Sequence, residues 1–205
     1  MIKIAITGNI GSGKSTITKI VRELGFKVFD SDQEAEKAMT NKDLIDKISK
    51  EFKSKIPGLI KKNKIDKVKL GEFVFTNTKE LKKLEQLVHP KIWESKEEFF
   101  KINCNESVVF LDIPLLFEKN LQSNYDFIIR TYVSSKVQKE RVLKRKNMTQ
   151  VKLNQIIKTQ TINTDIENKW ISLDLNTEED VNMLKIKVKN FLEKTLNLKK
   201  ATDKA

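Results

Sequence analysis

Cysteine is all but missing. Cys104 stands alone in 205 residues, which excludes an internal disulfide and points to a reducing compartment. Histidine is as scarce. With His89 the single example, no Cys–His set has the spacing of a zinc site. No stretch approaches the roughly 18 uninterrupted apolar residues that a membrane-spanning helix needs. The first apolar run opens at Ile2 and leaves no room for a leader peptide, so the expectation is a cytoplasmic chain with no membrane partner. Arginine is rare too: Arg22, Arg130, Arg141 and Arg145 are four of 40 basic residues. The lysines are dispersed among Asp and Glu, with no compact basic run and no aromatic-rich RNA motif. The net charge of +12 is therefore better suited to small polyanions such as nucleotides than to a nucleic-acid partner. No internal repeat is visible.

Against these absences stands one dense motif. Gly8-Asn9-Ile10-Gly11-Ser12-Gly13-Lys14-Ser15 has the form G-x-x-x-x-G-K-S of a phosphate-binding P-loop. The apolar run Ile2 to Thr7 in front of it reads as a strand. Ile17, Ile20, Val21 and Leu24 behind it follow helical spacing. Glycines let backbone N–H groups close round phosphate oxygens, and a helix N-terminus adds its positive dipole end. In this frame Gly11, Ser12, Gly13, Lys14, Ser15 and Thr16 hold ATP. Lys14 reaches the β- and γ-phosphates and Ser15 ligates Mg²⁺.

Four further apolar runs alternate with longer polar stretches: Lys27 to Asp30, Ser107 to Asp112, Asp126 to Val133, and Trp170 to Leu175. With the first run they predict a five-stranded parallel sheet between helices, a three-layer α/β/α fold. Gly25 suits a left-handed cap on the first helix. Ser135 with Gln138 forms a candidate capping box, and Thr177 a candidate start for the last helix, followed by Glu178, Glu179 and Asp180. About 75 residues separate the second and third strands, too many for a plain connection. They must hold a helical insertion, broken at Pro57-Gly58, with Pro90 opening a new helical segment. The stretch from Arg141 to Asn168 is polar, with Leu143, Val151, Ile156 and Ile157 as sparse apolar anchors, as suits a moving lid. The expected organisation is a nucleotide-binding core of residues 1–38, 105–140 and 169–198. A substrate-binding insertion at 39–104, a lid at 141–168 and a frayed tail at 199–205 complete it.

Several acids and cations fall where chemistry is expected. Asp30 and Asp32 follow the second strand, and strand ends line the ligand crevice of such sheets. A carboxylate there accepts the proton of an acceptor hydroxyl, or caps the helix that begins next. Asp112 ends the third run and is a candidate Mg²⁺ ligand, or a strand-end acid bonded to its own turn; Asp30 is its alternative at the metal. Arg141 and Arg145, spaced i, i+4, would share a helix face and brace a transferring phosphoryl group, or pair with Glu140 in solvent. Gln160 and Asn176 are candidate readers of a nucleotide base, or ordinary surface or cap residues. His89 is a candidate catalytic histidine or, better suited since no nucleophile–acid set accompanies it, one that orients the insertion or contacts a bound phosphate.

Taken together, these residues resemble the dephospho-coenzyme A kinase family. The likeness is carried by Thr7 to Thr16, Leu24-Gly25, Phe29-Asp30-Ser31-Asp32, Phe73-Val74-Phe75, and Leu87-Val88-His89-Pro90-Lys91-Ile92. It continues through Asp112-Ile113-Pro114-Leu115-Leu116-Phe117-Glu118, Gln138 to Arg141, Arg145 and Gln160, and so runs from the first strand to about Asn176. The chain departs from the family's pattern at Gly71-Glu72, Gln155 and Trp170-Ile171. The resemblance implies phosphorylation of the ribose 3′-hydroxyl of dephospho-coenzyme A by ATP. It implies Asp32 as general base, Gly11 to Thr16 as the ATP site, and Arg141 at the lid. Arg145 and Asn176 would be on the nucleotide side and His89 in the substrate-binding insertion. Small-molecule substrates and a monomer are the expectation. Two rivals remain: a kinase for another acceptor, such as a nucleoside monophosphate or a sugar, and an ATPase driven by nucleic acid.

Overall fold

The computed structural model describes residues 1–146, 148–160 and 168–202, with side chains to 197. The chain divides into two compact units, Met1–Phe29 with Asn105–Ala205, and Asp30–Cys104.

The first unit is built on a parallel five-stranded sheet. Its strands are β1 (Ile2–Thr7), β2 (Lys27–Asp30), β5 (Val108–Asp112), β6 (Phe127–Tyr132) and β7 (Leu173–Asn176), in the order β2-β5-β1-β6-β7. β1 lies at the centre, with Ile4 opposite Phe110 on one side and Phe127 on the other. Strand alternation sends Ile2, Ile4 and Ile6 to one face. There they meet Ile17, Ile20 and Val21 of α1 (Lys14–Glu23) and Leu184, Val188 and Leu192 of α8 (Val181–Thr202). Each such buried aliphatic side chain contributes roughly 1.5–3 kcal/mol. The other face carries Ala5 and Ile128 against Leu116 and Phe117. Both faces being covered explains why these strands read as continuous apolar runs.

Several details differ from the sequence reading. The last strand begins at Leu173, not Trp170. Trp170 is exposed, while Ile171 packs with the Ala5–Leu116 cluster, so its apolarity serves packing rather than pairing. α8 starts at Val181, with the Asp180 carboxylate accepting from Asn182 N–H; Thr177 is buried elsewhere. α6 (Ser135–Leu143) is capped by Ser134, whose hydroxyl accepts from Val137 N–H at 3.4 Å, so the expected box of Ser135 and Gln138 does not form. Gly25 does take the left-handed conformation, φ +89°, just beyond α1. In α7 (Gln150–Thr159) the buried anchor is Leu153, and in α6 it is Val142. Leu143, Val151 and Ile157 are exposed. Residues 147 and 161–167 of the expected lid, and 203–205 of the expected tail, lie outside the described residues.

The second unit has its own core. In α3 (Lys42–Phe52), Leu44, Ile48 and Phe52 recur every four residues and pack with Leu59, Leu70 and Val74. The long helix α5 (Thr78–Ile102) lies against α2 (Ser31–Ala38), α3 and α4 (Lys67–Phe75). It presents Leu81, Leu84, Leu87 and Val88 to that core. Pro90 sits inside α5 and does not open a new helix. Proline removes the N–H that would meet the Gln86 carbonyl. Both residues are exposed, so water can take that carbonyl while packing carries the helix through. A feature the sequence reading did not anticipate is the hairpin of β3 (Ile60–Lys61) and β4 (Lys64–Ile65). Lys62 and Asn63 both have positive φ, 47° and 58°, the requirement of a two-residue I′ turn.

Candidate active site

The loop between β1 and α1 is held from three directions. Its first anchor is Gly13, which caps α1 in the left-handed conformation, φ +85°. A Cβ there would overlap the hydroxyl of Thr177, so only glycine admits both the backbone angle and this neighbour. Thr177 follows β7 and is 6 % exposed. Its hydroxyl donates to the Ser12 carbonyl at 2.7 Å and accepts from Arg141 Nη1 at 2.8 Å, while Arg141 Nη2 donates to the Thr177 carbonyl at 2.8 Å. The Arg141 guanidinium thus clasps the turn that covers the loop.

β6 provides the second anchor. Ser12 Oγ and Thr131 Oγ1 are 2.7 Å apart, and Thr131 Oγ1 donates to the Thr7 carbonyl at 3.2 Å. A hydroxyl has one proton; since that of Thr131 is committed to Thr7, Ser12 donates to Thr131. The third anchor is at Ile10. Its N–H donates to Gln160 Oε1 and its carbonyl accepts from Gln138 Nε2, both at 2.9 Å. Gln160 is thus on the loop backbone. Asn176 is engaged locally, its Oδ1 accepting from Glu178 N–H at 3.0 Å.

Lys14 leaves the loop toward β5. Its ammonium donates to Asp112 Oδ1 at 2.5 Å, and Thr18 Oγ1 donates to Oδ2 at 2.8 Å. Asp112 is 5 % exposed. A carboxylate so buried is tolerated because an opposite charge and a second donor occupy its oxygens. Lys14, Ser15 and Asp112 are thereby brought to one end of the sheet. Among the described residues no group of three or more His, Cys, Asp or Glu could hold a metal. Mg²⁺ does not require one, since it is commonly bound by one or two protein oxygens plus substrate phosphates and water. The oxygen donors Ser15 and Asp112 fit that chemistry.

Beside the loop is a cavity of about 240 Å³, lined among others by Gly8, Asn9, Phe117, Arg130, Thr131 and Gln138. Its floor is the carboxyl end of β1 and β6, where open α/β sheets bind ligands. Arg130 forms a two-point ion pair with Asp174 opposite it in β7, Nε to Oδ1 at 3.1 Å and Nη2 to Oδ2 at 2.5 Å. Glu178 accepts from Ser134 N–H at 2.5 Å. That bond, the Ser134 hydroxyl and, more weakly, the Arg141 charge hold its carboxyl below the ordinary value of 4.5 despite opposing desolvation. Burial pushes the Tyr125 phenol up.

The remaining sequence candidates are placed as follows. Asp30 ends β2 and caps α2, its Oδ1 accepting from Gln33 N–H at 3.0 Å, which is the capping role weighed for it. Asp32 is exposed in the first turn of α2. His89 is exposed on α5. Arg145 lies beyond the end of α6, its N–H on the Val142 carbonyl at 3.0 Å. It therefore does not share a helix face with Arg141, because the helix has already ended at Leu143. Thr177 and Thr131 were not singled out by the sequence as loop partners, nor Thr18 as a partner of Asp112. A lone threonine carries no spacing signal, and only folding brings Thr131 and Thr177 to the loop and Asp112 to Thr18.

The chain is similar to known proteins over most of its length. The profile of the family described as dephospho-CoA kinase matches residues 2–175. The dephospho-CoA kinase of Fusobacterium nucleatum subsp. nucleatum is 35 % identical over 192 residues, covering 93 % of this chain and 96 % of that one. Among solved structures, TT1252 from Thermus thermophilus superposes with a TM-score of 0.78 at 29 % identity, covering 94 % of this chain and 97 % of that one. The dephospho-CoA kinase from Campylobacter jejuni does so with a TM-score of 0.64 at 25 % identity, covering 94 % and 96 %.

Proposed function

Because the chain belongs to the dephospho-CoA kinase family, we propose that its anchored loop and Asp32 together carry the family's reaction. That reaction is transfer of a phosphoryl group from ATP to the ribose 3′-hydroxyl of dephospho-coenzyme A, the last step of coenzyme A biosynthesis. Gly11, Ser12, Gly13, Lys14, Ser15 and Thr16 hold the ATP phosphates. The observation that carries this reading is the loop itself: left-handed glycines pinned from three sides, with Lys14 poised on Asp112. A preorganised set of N–H donors stabilises phosphate charge without reorganising during transfer.

Phosphate oxygens compete with Asp112 for the Lys14 ammonium. When Lys14 turns to them, a carboxylate oxygen becomes free. Ser15 and Asp112 would then hold Mg²⁺, which supplies neutralisation of charge on the phosphates. Asp32 accepts the proton of the acceptor hydroxyl as the γ-phosphoryl moves in line. Arg141, through Thr177, keeps the loop in place and adds positive charge beside it. Arg145 and Asn176 contribute to the nucleotide side, and His89 contacts the acceptor. The polar segment 141–168 acts as a lid that keeps water from taking the phosphoryl group. The enzyme works as a cytoplasmic monomer, whose mass light scattering checks.

The test is direct. Incubation with Mg-ATP and dephospho-coenzyme A yields coenzyme A by mass. Nucleoside monophosphates and sugars offered instead leave ATP unconsumed. Lys14→Ala abolishes turnover while the circular dichroism spectrum is kept. Asp32→Asn lowers kcat by about 10²–10⁴-fold, the usual worth of a positioned base. Full activity in Asp32→Asn would refute the base assignment.

A further inference from the structure

Among the described residues, Ile10 is the one loop residue whose backbone is gripped on both edges by side chains. Its N–H is taken by Gln160 at the end of α7, and its carbonyl by Gln138 of α6. The two amides are used in opposite senses: Gln160 must accept and Gln138 must donate, since the backbone partners fix the orientation of each. α6 stays against the loop one turn further on. A Cβ on Gly11 would come within 2.7 Å of Val142 Cγ2 and 3.2 Å of the Gln138 carbonyl.

This grip has a stereochemical consequence. In a trans peptide the N–H points opposite to the preceding carbonyl, and the chain has no cis bond among the described residues. With the Ile10 carbonyl turned onto Gln138, the Gly11 N–H is turned away from α6, toward the opposite side of the loop. Among the described residues it has no hydrogen-bond partner. We infer that Gln138 and Gln160 are positioning residues for ATP: by clamping both edges of Ile10 they aim the Gly11 N–H as a phosphate donor. The inference rests on the reading that this loop holds ATP. It gives the two glutamines, neither of which need touch the nucleotide, a role in its affinity.

The experiment exploits the opposite senses of the two bonds. Affinity for Mg-ATP is measured by isothermal titration, and KM for ATP and for dephospho-coenzyme A by coupled assay, on wild type, Gln138→Leu, Gln138→Glu, Gln160→Leu and Gln160→Glu. Both leucine variants weaken ATP binding by about tenfold, the scale of one hydrogen bond to a charged ligand, and leave KM for dephospho-coenzyme A unmoved. Glutamate at 160 still accepts from Ile10 N–H and recovers affinity relative to leucine. At position 138 glutamate repels the Ile10 carbonyl and recovers none. Should Gln138→Leu not fold, Gln138→Met replaces it. Leucine variants that bind ATP within about twofold of wild type overturn the inference, since that is less than one lost bond. So do glutamate variants that respond alike, and losses shared equally by both substrates. A wild type that does not bind ATP removes the loop reading itself, and the inference with it.

Discussion

Thr177→Val isolates the clasp over the loop. Valine keeps the shape of threonine and both backbone bonds of residue 177, its N–H to the Tyr132 carbonyl and its carbonyl from Arg141 Nη2. Only the hydroxyl is lost, and with it two bonds: donation to Ser12 and acceptance from Arg141 Nη1. The neutral bond is worth about 0.5–1.5 kcal/mol and the charged one about 1.5–3. Arg141 is half-buried, so water restores part of the second, and the expected loss is about 2–3 kcal/mol. For a chain of this length 1 kcal/mol moves Tm by about 2–4 °C, so the midpoint falls by about 4–12 °C. Calorimetry and urea titration measure it, with Thr177→Ser as the restoring control. KM for ATP rises in parallel, because the Ser12 carbonyl no longer has its anchor. A valine variant that melts within about 1 °C of wild type would show that the hydroxyl bonds do not hold the loop.

Glycines give a second contrast. Gly13→Ala must accept both a left-handed residue, costing roughly 1–2 kcal/mol, and collision with Thr177; ATP binding is lost by titration. Gly25→Ala has the same sign of φ with nothing within 4 Å of the new Cβ, so it loses only that backbone cost and keeps ATP affinity. A pH series tests Glu178. Its folded-state value lies below 4.5, so its contribution is fully present above 4.5 and disappears as pH falls through the lowered value. Chemical denaturation of Glu178→Gln therefore shows a shallower acid limb than wild type, and identical limbs would remove the Ser134–Glu178 bond from the account of acid stability.

The P-loop, the strand before it and the helix after it were legible because their signals are local. Glycine spacing, an apolar run and helical periodicity each lie within a dozen residues. The alternating runs likewise announced a parallel sheet, since strands covered on both faces must be apolar throughout. Reading failed where a residue type serves two ends. Ile171 is apolar for packing, not for pairing. Thr177 resembles a helix cap but is buried against Gly13. Pro90 resembles a helix start but lies within α5, where an exposed carbonyl and the packed opposite face let the helix continue.

By itself the order of residues determined a glycine-rich loop of phosphate-binding form between the first strand and the first helix, because a main-chain nest needs only consecutive residues with the right freedom of rotation. Which side chains hold that nest in shape was decided by the fold alone. Gln138, Gln160, Arg141, Thr131 and Thr177 are more than 100 residues away from the loop in sequence. Hydrogen bonds reach about 3 Å, so only strand order and helix packing bring such partners within range.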